Sequence, residues 1–131
     1  MFRRVCSVLT LTVAVAIVGC GPKGPVMVPV TGTVTLDDKP MDEGVIYFKT
    51  IIEGSVDEMA IKDGKFQGQV QVGDRRVEVC KYGLGPPIMM GNAEIPNKIE
   101  TLPFRYNVES ELKASVTEAG PNNFTFAVTS K

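Results

Sequence analysis

Beyond residue 26 hardly any window of the chain escapes a proline or a glycine, and no apolar pattern at i, i+3, i+4 and i+7 runs for a helical length. What recurs is a period of two. From Val28 to Leu36, Val30, Gly32, Val34 and Leu36 fall on one face and Thr31, Thr33 and Thr35 on the other, which predicts a strand buried on one side. Asp37-Asp38-Lys39-Pro40 supplies a turn, and 44–49 follows as a strand with Ile46 and Phe48 inward. Runs at 59–61 and 65–70 flank Lys62-Asp63-Gly64, a hairpin signal because glycine tolerates the positive φ of a tight turn. The run 75–82 places Val77 and Val79 on one face and Arg76, Glu78 and Cys80 on the other. The last two strands are expected at 111–117 and 123–128, joined by Gly120-Pro121-Asn122, with Phe124 and Phe126 on a common face. Residues 83–106 read as a long, irregular, Pro-rich loop. Seven short strands over about a hundred residues predict an all-β fold, a single antiparallel sandwich.

The other constraint lies at the amino terminus. Arg3 and Arg4 precede Val5–Val18, fourteen residues without a charge. That is short of the ~20 residues a helix needs to cross a bilayer, but it has the length and flanks of a signal peptide. The run ends in Ile17-Val18-Gly19-Cys20, which resembles the lipobox of bacterial lipoproteins. The resemblance implies a signal peptide over 1–19, cleavage before Cys20, and acylation of that residue. An ordinary signal peptide that happens to end near a cysteine, and an uncleaved anchor, are the competing readings. Two or three acyl chains, at ~0.8 kcal/mol per buried CH₂, would hold the chain on a membrane. Gly21-Pro22-Lys23-Gly24-Pro25 then suits a solvated tether over 20–27, ahead of a domain spanning 28–131. Gly21 in place of Asp resembles an outer-membrane rather than an inner-membrane destination. The expected location is the bacterial cell envelope, with the membrane as first partner through Cys20.

Charge and composition narrow the function. The chain holds 14 Lys and Arg against 15 Asp and Glu; with Arg3 and Arg4 removed, 12 cations face 15 acids, net −3. That balance argues against a nucleic-acid partner. There is no histidine, so a Ser-His-Asp or Cys-His nucleophile and a His-ligated zinc site are excluded.

The segments VPVTGTVTLDDKPMDEGVIYF, KDGKF, RRVEVCK, IPNKIETLPFRY and ELKASVTEAGPNNFTFAV, over 28–128, together resemble the small lipoproteins of planctomycete bacteria described as carboxypeptidase-regulatory-like or transthyretin-like domains. The resemblance implies a seven-stranded prealbumin-like β-sandwich and no catalysis. Asp38 stands where that family usually has Gly, and Gly73-Asp74-Arg75 where it has Pro-Gly-x-Tyr. The related fold that hydrolyses 5-hydroxyisourate depends on His and a Tyr-Arg-Gly-Ser terminus; this chain has neither and ends in Val-Thr-Ser-Lys.

Few residues are left to carry chemistry. Cys80 is the one thiol remaining once Cys6 is removed and Cys20 acylated, and it reads as a small hydrophobe packed beneath the Pro-rich segment, or else as a thiol activated beside Arg76. Asp37, Asp38, Asp42, Glu43, Asp57, Glu58 and Asp63 cluster in turns, but no spacing matches a calcium loop; solvated turns account for them, and no metal or other cofactor is expected. Tyr82 and Tyr106 border the long loop, where they either pack it down or offer a weak stacking platform for sugar. Pro87, Ile88, Met89 and Met90 form an apolar run with adaptable thioethers, expected either as a contact surface for a partner or as a cover for a sheet edge. The leading expectation is a non-catalytic, lipid-anchored interaction or structural module whose further partner is an envelope protein or glycan. The alternative is a small ligand-binding lipoprotein that takes carbohydrate, peptide or metal near 83–106.

Overall fold

A computed structural model describes residues 19, 21, 24–50 and 54–131. Residues 1–18 of the expected signal peptide and Cys20 lie outside these residues. The described chain is all-β. Its strands are β1 (Met27–Leu36), β2 (Lys39–Pro40), β3 (Glu43–Thr50), β4 (Val56–Lys62), β5 (Lys65–Gln71), β6 (Gly73–Cys80), β7 (Tyr82–Met90), β8 (Ala93–Glu100), β9 (Lys113–Val116) and β10 (Asn123–Val128), with one 3₁₀ turn at Phe104–Tyr106. Eight of them form one sheet in the order β10-β1-β5-β4-β3-β6-β9, with β2 beside β1; β7 and β8 form a separate two-stranded ribbon.

The alternation read from the sequence is the alternation that is buried. Val28, Val30 and Val34 of β1, Ile46 and Phe48 of β3, Val77 and Val79 of β6, and Phe126 and Val128 of β10 all face the core. The sheet curls to make that core. Phe48 on β3 meets Phe66 on β5 at 6.1 Å between ring centroids and Phe124 on β10 at 6.0 Å, although β10 stands four places from β3 in the strand order. Such tilted pairs add to the burial of the rings themselves. Gly32 makes room for this cluster: a Cβ there would fall on the Phe66 ring and the Phe124 carbonyl.

Turn chemistry fixes the register. Asp37 and Asp38 have φ of 50° and 65°, a two-residue turn that sets Leu36 opposite Lys39. Asp tolerates this left-handed region better than most residues, so Asp38 can hold a turn position that glycine often fills. Asp63 and Gly64, at φ 51° and 75°, form the expected hairpin turn between β4 and β5. Past that turn the two strands part at once. Lys62 and Lys65 are their sole register pair, so the sheet bends sharply there.

Four expectations need correction. The sheet is not purely antiparallel: β1 and β10 run parallel from Thr31 opposite Asn123 to Leu36 opposite Val128, which joins the two ends of the domain. The run 75–82 is broken at Lys81; β6 ends at Cys80 and Tyr82 opens a new strand. The strand expected at 111–117 is trimmed to Lys113–Val116. Finally, 83–106 is not an irregular loop but mostly a β-hairpin, followed by the 3₁₀ turn.

Candidate functional site

The ribbon β7-β8 is the part of the domain least absorbed by the core. Its two-residue turn is Gly91-Asn92, with Gly91 at φ 63°, a value a side chain would oppose. Pairing runs from Tyr82 opposite Glu100 to Gly85 opposite Asn97, and resumes with Ile88 opposite Ile95. Pro86 and Pro87 occupy the irregularity between, where neither strand asks them for an N–H. The bulge keeps partners on a common face, so Ile88, Met90, Ala93, Ile95 and Ile99 all lie on one side of the ribbon. Tyr82, Leu84, Met89, Glu94, Lys98 and Glu100 lie on the other.

Both sides of the ribbon are uncovered. On the apolar side Ile88 is 52% and Met90 66% exposed, and Ile95 and Ile99 are also exposed; on the other, Met89 is 60% and Leu84 80% exposed. Pro87 is exposed as well. Thus the four candidate contact residues fall on one arm, with Ile88 and Met90 on its apolar side beside Ile95 and Ile99, which the sequence did not single out, and Met89 on the other side with Leu84. Exposed apolar groups gathered in one place mark interaction surfaces.

The arm is held at its base by Glu100. Its Oε1 accepts from the backbone N–H of Lys81 at 3.0 Å and of Leu102 at 2.9 Å, while the Lys81 carbonyl accepts from Thr101 N–H and Oγ1, each at 2.8 Å. The base sits against Cys80. That thiol is buried, and its pKa is pushed up to about 11, first by burial and then by the neighbouring Glu100 carboxylate. Cys80 is therefore a protonated packing group, the first of the two readings above. Tyr82, although 44% exposed, is likewise pushed above its ordinary value, first by partial desolvation and then by its hydrogen bonds with Cys80 and Tyr47. Tyr106 instead hydrogen-bonds the Thr129 hydroxyl at 3.0 Å and packs against the core.

Between the arm and the outer face of β3 and β4 runs a groove of about 610 Å³, with Val45 and Ala60 on its floor, Tyr82 and Leu84 on its wall, and Asp42 and Lys98 among its charges. Asp42 pairs with Lys81. That pairing holds its carboxyl below the usual carboxylate range. Among the described residues no three His, Cys, Asp or Glu side chains gather as a metal-binding group.

The arm and the start of the domain lie at opposite ends. Met27 opens β1 opposite Gln71, next to the point where β6 begins at Gly73. The arm leaves from the far end of β6, beside Val45 and the Lys62–Lys65 turn. Eight strand residues separate the two ends by about 25 Å.

A second cluster was not anticipated from the sequence. Arg75 is 1% exposed and donates from Nη2 to the Phe48 carbonyl at 2.6 Å and to Asp57 Oδ2 at 2.8 Å. The same Asp57 oxygen accepts the Gln71 N–H at 3.0 Å. This node bridges β4, β5 and β6 where the ladder between β4 and β5 has lapsed. Comparison of the chain with protein-family models, curated proteins and solved structures gave no match.

Proposed function

We propose that the chain is a non-catalytic, lipid-anchored module of the bacterial cell envelope that presents the β7-β8 arm to a protein partner. The observation that carries this reading is the placement of an uncovered apolar ribbon about 25 Å from the end where the tether joins. An anchor at Cys20 would leave that arm directed away from the membrane, free to dock. The finer fold reading is a prealbumin-like sandwich. With the bend after Lys62 and Lys65 as its corner, β10-β1-β5 makes one layer and β4-β3-β6-β9 the other. The resemblance to planctomycete lipoproteins agrees with that arrangement, and the outer membrane is the favoured destination.

Two measurements test this. Cells fed a palmitate analogue should label the wild type and not Cys20→Ala; equal labelling would end the anchor reading. Capture of the acylated protein from its own envelope should bring down a partner that Ile88→Lys with Met90→Lys loses, while both proteins melt alike. Capture that survives both substitutions would end the docking role of the arm.

One observation favours a second reading. The groove under the arm has a volume within the range of small-molecule sites, ~300–1,000 Å³, and combines an apolar floor with charged rims. A small-ligand lipoprotein would use Tyr82 and Lys98 there, and Tyr82→Ala would abolish binding without affecting capture of the partner.

A further inference from the structure

The outer face of β10, β1 and β5 has a chemistry unlike the rest of the surface. Its side chains are hydroxyls and amides laid out by the strand register: Asn123, Thr31 and Gln67 in one row, and Thr125, Thr33 and Lys65 in the next. All six are exposed. Asn123 Nδ2 donates to Thr31 Oγ1 at 3.0 Å, and Thr33 Oγ1 to Thr125 Oγ1 at 3.2 Å, so the rows are ordered. A trough of about 690 Å³ runs over this face and reaches Ala60 and Lys62 on β4. Among the described residues no carboxylate lines it.

Two lysines close the trough. Lys62 and Lys65 are directly opposite one another across the tight turn, an arrangement in which like charges repel. Among the described residues neither forms an ion pair, although Glu43 stands in register beside Lys62 on β3. The turn itself needs only Asp63 and Gly64. The two ammonium groups thus stand at one end of the trough without a direct ion pair among the described residues, and an anion seated between them would pair with both.

We propose that this face binds an acidic polysaccharide, its carboxylates held by Lys62 and Lys65 and its hydroxyls by Thr31, Thr33, Gln67 and Asn123. The neutral polar rows argue against a protein partner here, because interface cores are rich in aromatic residues and methionine. A single-stranded nucleic acid would look for stacking platforms, and no exposed aromatic side chain lines the trough. An acidic peptide joining as an added strand would pair along the edge of β10 or of β5 beyond Lys65, so poly-glutamate is the arm of the test that excludes it. The net charge of −3 after removal of the leader disfavours indiscriminate attraction of polyanions, so binding would report this site.

The test is affinity electrophoresis of the full chain in detergent, through gels containing polygalacturonate, dextran or poly-glutamate. Polygalacturonate should retard the protein, and dextran and poly-glutamate should retard it far less. Lys62→Gln with Lys65→Gln should weaken retardation about tenfold, the scale of two exposed ion pairs. Thr31→Val with Thr33→Val, which keeps strand propensity, should weaken it with the lysines intact. All substituted positions are exposed, and unchanged melting of each variant establishes that the fold is kept; single Lys65→Gln serves if the double variant melts early. The proposal is overturned if polygalacturonate does not retard the wild type. It is also overturned if poly-glutamate or dextran does so equally, or if the lysine variant binds undiminished.

Discussion

At the scale of single residues the most consequential group is Arg75, a guanidinium with 1% exposure whose counter-ion is Asp57. Removing one partner of a buried pair leaves an uncompensated charge, so Asp57→Ala should cost about 3–5 kcal/mol, read as a fall in the urea midpoint at unchanged slope. Replacing both, with Arg75→Met and Asp57→Leu, should recover most of that loss, because similar-sized apolar side chains are often as stable as a buried pair. A double variant no better than Asp57→Ala would show that the hydrogen bonds to Phe48 and Gln71, not the charge balance, hold the bend. Cys80 makes a second test. Its thiol ionises near 9 in the unfolded chain and at about 11 when folded, so the folded state retains a proton that the unfolded state releases. Stability must then fall as pH rises from 9 toward 11, and Tyr82 adds a fall in the same direction at the upper end. Urea midpoints across that range should fall less steeply for Cys80→Ala than for the wild type. Part of this was legible from residues alone. The parity of β6 put Cys80 opposite Val77 and Val79 and allowed for its burial. The same parity carried back two places puts Arg75 inward, but a charge at a core position has no sequence signal unless its partner, eighteen residues away, is known.

At the scale of elements, β1, β3, β5 and β10 follow directly from period-two alternation, because each has one dry and one wet face. The arm does not alternate in that way. It has no dry face, and Pro86, Pro87 and Pro96 read as breaks because a strand interior rarely tolerates them. The sign that would have found it is Gly91-Asn92 between apolar runs, a hairpin dipeptide. A two-stranded ribbon is marginal by itself, so its order depends on the base. Glu100→Ala takes the acceptor from two backbone N–H groups there and leaves them to water or unpaired. Amide exchange in 82–100 should rise by at least about fivefold, equal to the loss of ~1 kcal/mol, while β1 and β3 stay protected. Glu100→Gln, which keeps an acceptor, should exchange nearly as the wild type does. Exchange rising equally in β3 would mean that the arm and the body open as one unit.

At the scale of the whole molecule, closure is the work of the last strand. β10 pairs in parallel with β1 along six residues and brings Phe124, Phe126 and Val128 into the core, and Asp37 takes the backbone and side chain of Ser130 at 3.0 and 2.7 Å. No local signal in the sequence announces a parallel pair between strands about ninety residues apart; it follows only once the sheet is known to curl. Ends that meet this late make a slow-folding topology, since loop closure must precede the contacts that reward it. Two buried side chains, Phe126 and Val128, at ~1.5–3 kcal/mol each, with the partly buried Phe124 beside them, make a large share of the ~5–15 kcal/mol that holds a domain of this size. Truncation after Asn122 should therefore abolish the cooperative melt, whereas replacing 83–99 by two glycines, which removes only the arm, should leave it within a few degrees of the wild type. A synthetic peptide of residues 121–131 added to the truncated chain should restore the melt if the missing strand is all that the body lacks. Loss of the melt on removing the arm instead would place the ribbon among the elements that hold the core, and its exposed apolar face could no longer be read as free for a partner.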